Sequence, residues 1–88
     1  MRTPITEENV DNAFDEAIEK MHFRLKEKGR GTLTSIHEIF GMIQEEVHEL
    51  QIEMHKNGTD EDKIEELLDI AVAAIFSIAC IKQGTLDW

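Results

Sequence analysis

The chain contains few of the features that mark secreted or membrane-spanning proteins. It has a single cysteine, Cys80, so no internal disulfide can form, which is typical of a reducing cytoplasm. Its longest nearly apolar run, Ile70 to Ile81, has twelve residues and is too short to span a bilayer. We expect no signal peptide, because no apolar core follows Arg2. These features predict a cytoplasmic protein without a membrane partner.

Basic residues are also scarce. Nine lysines and arginines stand against nineteen aspartates and glutamates, which gives a net charge of −10 at pH 7. A surface with this charge repels a nucleic-acid backbone, so we expect no nucleic-acid partner. Phosphate-bearing small molecules stay possible, because a bound metal ion reverses the local charge. The length of 88 residues predicts one small domain, residues 1–88.

Three amphipathic helices are predicted, each with start and stop signals in the sequence. Threonine or serine can cap each start, and glycine or asparagine follows each end. Gly41 inside the second helix is costly and indicates close packing there. From N-cap to last residue, the predicted spans are Thr6 to Lys28, Thr32–Ser35 to about Lys56, and Thr59 to about Lys82.

The third helix predicts how the chain assembles. From Ile70 to Ile81 it is apolar on nearly every side, and such a helix is buried on more than one face. Two further helices in so short a chain can hardly cover it, whereas a second copy can. We therefore predict an all-α fold in which a three-helix chain forms a helical bundle by homodimerisation.

Two acidic clusters flank the turn between the second and third helices. One is Glu45-Glu46-Val47-His48-Glu49, and sixteen residues separate it from Glu66-Leu67-Leu68-Asp69. With the helices antiparallel, Glu46 and Glu49 can face Glu66 and Asp69. Carboxylates this close repel one another unless a hard cation binds them, and carboxylate oxygens are ligands that Mg2+, Mn2+ and Ca2+ prefer. Since Mg2+ commonly bridges to substrate phosphates, the pattern predicts a metal site for phosphate chemistry.

The same residues resemble the EExxE…ExxD pattern of the all-alpha nucleoside triphosphate pyrophosphatases. This superfamily includes MazG-like proteins, dimeric dUTPases, dCTP pyrophosphatase and phosphoribosyl-ATP pyrophosphatase. The similarity covers Ile36 to Ile81, about half of the chain. It implies an enzyme, a nucleotide pyrophosphohydrolase that splits an NTP or dNTP between its α and β phosphates. The products would be a nucleoside monophosphate and pyrophosphate.

The resemblance also implies roles for individual residues and a state of assembly. It implies Mg2+ or Mn2+ as cofactor, and catalytic roles for Glu45 and Glu49 toward a metal ligand or the attacking water. It further implies a homo-oligomer, either a dimer or a dimer of dimers. The implied metal ligands are Glu46, Glu49, Glu66 and Asp69.

Two other functions fit the same sequence. Acidic runs on helices commonly form a solvated face, so the chain could be a non-catalytic helical interaction protein. Glu19-x-x-His22 and Glu45-x-x-His48 match the ExxH step of di-iron carboxylate bundles. On a helical wheel these residues lie away from the apolar stripes, so we expect them to point outward.

Basic and aromatic side chains give further candidates. The basic residues at the end of the first helix suit either a triphosphate or the helix dipole. We expect Phe14, Phe40 and Phe76 in the core, while Trp88 suits either stacking on a base or covering the end of the bundle. The basic candidates are Arg24, Lys26, Lys28 and Arg30.

Overall fold

The computed structural model describes residues 2–29 and 31–87, in which three α-helices and no strand occur. The helices are α1, Glu7–Lys28, α2, Ile36–His55, and α3, Asp60–Gln83. This confirms the predicted all-α class, and the three helices end within a residue of the predicted positions. Arg30 and Trp88 lie outside the described residues, so the predictions made for them stay untested.

Each helix begins at a hydroxyl side chain that caps its first turn. Thr6, Ser35 and Thr59 each accept a hydrogen bond from the backbone N–H three residues further on, at 3.1 Å. At the start of α1 the Asn9 side chain also accepts from the Thr6 N–H at 3.0 Å, which completes a capping box. These local bonds explain why the sequence alone located the starts so closely.

The turn at Asn57 and Gly58 makes α2 and α3 an antiparallel hairpin. Asn57 adopts a left-handed backbone with φ of 55°, which asparagine tolerates better than most residues. The Gly58 N–H donates to the Glu53 carbonyl at 2.9 Å, and a Cβ at position 58 would collide with the Glu53 carboxylate. The turn chemistry therefore brings the acidic segments of α2 and α3 side by side.

Helix α3 lies between the other two helices and contacts both of them. Within the described residues, no Cα of α1 comes within 8 Å of a Cα of α2. The C-terminal tail returns to the start of α2, where the Asp87 N–H donates to the Thr34 carbonyl at 2.6 Å and the Thr85 hydroxyl to the Leu33 carbonyl at 2.7 Å. This order leaves a cleft between α1 and α2, with α3 as its floor.

The chain buries little apolar surface by itself. Its buried hydrophobic residues are small in number and come from α2 and α3: Ile39, Val72, Ala73 and Cys80. Phe14 and Phe40, which we expected in the core, are 63% and 64% exposed. That expectation is wrong for the single chain, because most of each side chain is open to solvent.

A Cβ added at Gly41 would meet no atom within 4 Å, so the expected close packing there does not occur within the chain.

Across residues 2–29 and 31–87, no helix combines the length and the apolar character that a membrane crossing requires.

Candidate metal centre

The structure brings together the four carboxylates that the sequence pattern singled out. Glu46 and Glu49 from α2 and Glu66 and Asp69 from α3 each offer one oxygen, and these oxygens all lie within 4.8 Å of one another. We call these four residues the acidic cluster. The spacing of three residues on each helix and the short turn between the helices produce this convergence. Asp62, one turn before Glu66, is exposed and is not part of the cluster.

Two oxygens of the acidic cluster are buried without a hydrogen-bond partner in the described structure. They are Oε2 of Glu46 and Oε2 of Glu66. Glu46, Glu66 and Asp69 are half-buried, whereas Glu49 is exposed at the mouth of the cleft. A buried carboxylate oxygen without a partner loses its hydration and gains nothing in return, so this arrangement favours an added positive charge.

The pKa values of two cluster residues report the same crowding. Burial raises the pKa of Glu46 above its ordinary value of 4.5, and the negative charges of Glu49 and Asp69 raise it further, while Arg24 opposes them. Burial likewise raises the pKa of Glu66, with Glu49 and Asp69 adding to the effect. Binding of either a proton or a cation relieves the cost of crowding these charged carboxylates.

Helix α1 supplies two cations to one member of the acidic cluster. Lys20 Nζ lies 2.8 Å and Arg24 Nη2 lies 2.7 Å from Oδ1 of Asp69. Lys20 also pairs with Glu65 at 2.7 Å. Burial by itself lowers the pKa of Lys20, but the bonds to Asp69 and Glu65 outweigh it and leave this pKa raised. These ion pairs attach α1 to α3.

Sequence reasoning missed Lys20 and did not assign Arg24. Both lie 45 or more residues before Asp69, and no local pattern indicates which helix α1 packs against. The available signal was their separation of four residues, which puts both cations on the same face of α1 and beside its apolar stripe.

A cleft of about 450 Å³ opens onto the acidic cluster between α1 and α2. Ligand pockets for small molecules typically span roughly 300–1,000 Å³. Glu45, the other predicted catalytic residue, lines this cleft but does not belong to the acidic cluster. Arg24 and Lys28 line it from α1, and Phe76 lies among its apolar lining residues. The cleft thus combines carboxylates, two cations and an apolar wall.

The residues present fit a hard divalent cation. All the donors are carboxylate oxygens, which suit Mg2+ and Mn2+. Mg2+ holds its oxygen ligands at roughly 2.0–2.1 Å, so oxygens on opposite sides of such an ion are about 4 Å apart. The cluster oxygens all lie within 4.8 Å of one another, which is close to that separation.

The residues of the di-iron alternative lie elsewhere. Glu19, His22, Glu45 and His48 are all exposed, as the helical wheel predicted. In the described part of the chain, the carboxylate group around Glu46 contains no histidine.

Comparisons with known proteins add no relative. The chain matches no protein-family model, and no curated protein or solved structure shows significant similarity to it. Its functional interpretation therefore depends on the geometry of the cleft and on the motif.

Proposed function

We propose that the chain is a metal-dependent nucleoside triphosphate pyrophosphohydrolase, which converts an NTP or dNTP and water into a monophosphate and pyrophosphate. The convergence of four carboxylates, two of them with buried oxygens that lack a partner, is the observation that carries this proposal. Mg2+ or Mn2+ bound there would neutralise the phosphate oxygens and the charge that develops during hydrolysis.

The chain's own side chains divide the remaining tasks. Glu46, Glu66 and Asp69 are half-buried and so suit a holding role, because packing restricts their rotation. Glu49 is exposed at the cleft mouth, where its carboxylate can orient the attacking water and accept its proton. Glu45 lines the cleft and suits the same proton transfer or the support of a ligand.

The cations of α1 suit the triphosphate. Arg24 and Lys28 line the cleft beside the carboxylates, so phosphate groups placed there would meet positive charge from one side. Arg24 is paired with Asp69 in this structure, and binding of a cation by Asp69 would leave Arg24 available to the phosphate oxygens. The apolar part of the cleft, with Phe76, suits a nucleoside.

The same proposal includes the assembly and the location. The all-alpha pyrophosphatase fold forms its bundle from a homodimer or a dimer of dimers, and we extend this to the chain. We place it in the cytoplasm, because its one cysteine, Cys80, is a free buried thiol that suits a reducing compartment.

Product analysis tests the proposed reaction directly. Wild-type protein, Glu49→Gln and the control Glu61→Gln are incubated with canonical NTPs and dNTPs in Mg2+ or Mn2+, and the products are separated by anion-exchange chromatography. Glu61 is exposed in the first turn of α3 and lies outside the acidic cluster. We expect monophosphate and pyrophosphate from wild type and from the control, and none from Glu49→Gln.

Two outcomes would contradict this reading. Full turnover by Glu49→Gln would refute the site assignment, and release of orthophosphate in place of pyrophosphate would refute the reaction. The tests need circular dichroism on each variant, because only a folded Glu49→Gln protein is informative.

A non-catalytic interaction protein is the second candidate. The observation that favours it is the pairing of Asp69 with both Lys20 and Arg24, since a carboxylate neutralised by protein cations has less need of a metal ion. This candidate predicts no product from any nucleotide and no specific stabilisation by Mg2+ over an equal ionic strength of NaCl.

A further inference from the structure

The two cations of α1 that pair with Asp69 lie in different surroundings. Arg24 lines the cleft together with Asp69, and its side chain is 30% exposed. Lys20 is outside that lining, in a second depression between α1 and α3 that Glu65 and Leu68 also line, and its side chain is only 13% exposed. Arg24 therefore approaches Asp69 from within the cleft, and Lys20 approaches it from outside the cleft.

Three oxygen atoms surround the ammonium group of Lys20. Its Nζ lies 2.7 Å from Oε2 of Glu65, 2.8 Å from Oδ1 of Asp69 and 3.4 Å from the carbonyl oxygen of Glu65. An ammonium group has three donors and no acceptor, so these oxygens match its capacity. Glu65 and Asp69 are one turn apart on α3, and the backbone of that helix fixes the distance between them. The position of the Lys20 ammonium group is therefore set by α3.

Glu65 lies outside the acidic cluster, although it directly precedes Glu66 in the sequence. It contacts Lys20 through both its carboxylate and its backbone carbonyl. These two contacts hold Lys20 in place whether or not Asp69 has another ligand. Arg24, by contrast, contacts Asp69 through Nη2 at 2.7 Å and faces the cleft. Lys20 is thus the cation that can stay on Asp69 when Arg24 turns to a phosphate group.

Asp69 retains capacity for a metal ion beside both cations. Lys20 and Arg24 meet the same oxygen, Oδ1, and a carboxylate accepts about four bonds through its two oxygens. Carboxylates that ligate metals are themselves held by hydrogen bonds, and these outer contacts fix the direction in which the ligand oxygen points.

We infer that Lys20 is a positioning residue of the candidate metal centre: it holds Asp69 in the orientation that a divalent cation requires, and Glu65 holds Lys20. The inference rests on the metal site of the proposed function and extends it to two residues that the acidic cluster does not contain. It gives the two cations on Oδ1 different tasks, since Arg24 is released toward the substrate phosphates and Lys20 remains bound to Asp69.

Selectivity between divalent cations separates positioning from charge. Mg2+ needs near-ideal octahedral geometry at about 2.0–2.1 Å, whereas Ca2+ accepts a flexible arrangement at about 2.3–2.6 Å. Loss of a nearby positive charge strengthens the binding of both ions to a similar extent, because both carry two charges. Loss of the contact that orients Asp69 weakens the binding of Mg2+ more than that of Ca2+. Outer contacts of this kind commonly change metal affinity by about 10–100-fold.

Titration calorimetry with MgCl2 or CaCl2 measures this selectivity as the Kd for Ca2+ divided by the Kd for Mg2+. Lys20→Met and its matched control Arg24→Met each remove one cation from Oδ1 of Asp69 and keep a long apolar side chain. We expect the ratio to fall by about tenfold in Lys20→Met and to stay at the wild-type value in Arg24→Met. Glu65→Gln should lower the ratio by a smaller factor, because Lys20 keeps its contact with Asp69.

Circular dichroism checks that each variant is folded, and Glu65→Gln supplies the test if Lys20→Met does not fold. An unchanged ratio in the folded variant would overturn the inference, and so would an equal fall in Arg24→Met. The inference would also fail if the wild-type protein bound neither ion. The ions are added without nucleotide, so a protein that binds Mg2+ but hydrolyses no nucleotide would contradict the proposed reaction and still decide this inference.

Discussion

Replacing Glu66 by glutamine should stabilise the metal-free protein and remove its response to Mg2+. The metal-free gain follows from the distances within the acidic cluster. Two like charges at the limiting separation of 4.8 Å repel by about 3.5 kcal/mol at an effective dielectric constant of 20. Lys20 and Arg24 screen part of this repulsion. The raised pKa of Glu66 also makes its carboxylate easier to protonate, which reduces the repulsion further. We therefore expect a net gain of about 1 kcal/mol, which raises Tm by about 4–8 °C in a chain of this size.

Mg2+ should stabilise the wild-type protein by more than Glu66→Gln stabilises the metal-free protein. A ligand that binds only the folded state at 100 times its Kd stabilises that state by about 2.7 kcal/mol, or roughly 10–20 °C in Tm. Glu66→Gln loses one of the four ligands and one of the buried oxygens without a partner. Its metal-dependent rise in Tm should therefore shrink to a small fraction of the wild-type value.

Thermal unfolding followed by circular dichroism separates the two effects. Each protein is measured at one fixed concentration in a chelator, in saturating MgCl2 and in NaCl of matched ionic strength, because exposed acidic surfaces also respond to salt. Glu61→Gln is the control, since it removes one charge outside the acidic cluster. The reasoning fails if Glu66→Gln responds to MgCl2 as wild type does, or if it is less stable than wild type in the chelator.

Two further perturbations test the same cluster. Because the pKa of Glu46 is raised in the folded chain, the folded state binds more protons than the unfolded state, so metal-free stability should fall as pH rises above about 4.5. Thermal unfolding across pH should show this fall, and both Mg2+ and Glu46→Gln should reduce it. Arg24→Met removes one cation from Asp69, so titration calorimetry should show Mg2+ affinity raised by about tenfold or less, while metal-free stability drops by about 1 kcal/mol. Unchanged or weaker Mg2+ binding by Arg24→Met would show that Arg24 and the cation do not compete.

The helices and the grouping of the acids could be predicted because both depend on neighbours along the chain. Thr6, Ser35 and Thr59 cap helices through bonds that span three residues, and such bonds are visible in the sequence. The acidic cluster needs only two helices and the turn at Asn57 between them. The helical period and the direction of the hairpin then determine which carboxylates face one another.

The position of α1 could not be predicted in the same way. Residues 29–35 separate α1 from α2, and their sequence has no turn signal that selects a packing direction. The amphipathic pattern of α1 predicted a buried stripe but not its partner, so Phe14 was expected in the core and is exposed. Lys20 and Arg24 show why this matters. They are the cations that offset the negative charge of Asp69, and they lie on a helix that the motif does not include.

The balance of charge around Asp69 is where the two candidate functions differ. One carboxylate oxygen is paired with two protein cations, while two neighbouring carboxylates keep buried oxygens without a partner. Each of those oxygens has lost its hydration, a cost that a bound cation would offset, and Oε2 of Glu53, outside the acidic cluster, bears the same cost. In the proposed metal site both observations have one explanation, because Arg24, one of the α1 cations that pair with Asp69 in the metal-free chain, would face the substrate phosphates once a divalent ion had bound. Glu66→Gln should therefore weaken the binding of Mg2+, and Arg24→Met should strengthen it. Equal changes in the two variants would indicate that the acidic cluster acts only as surface charge.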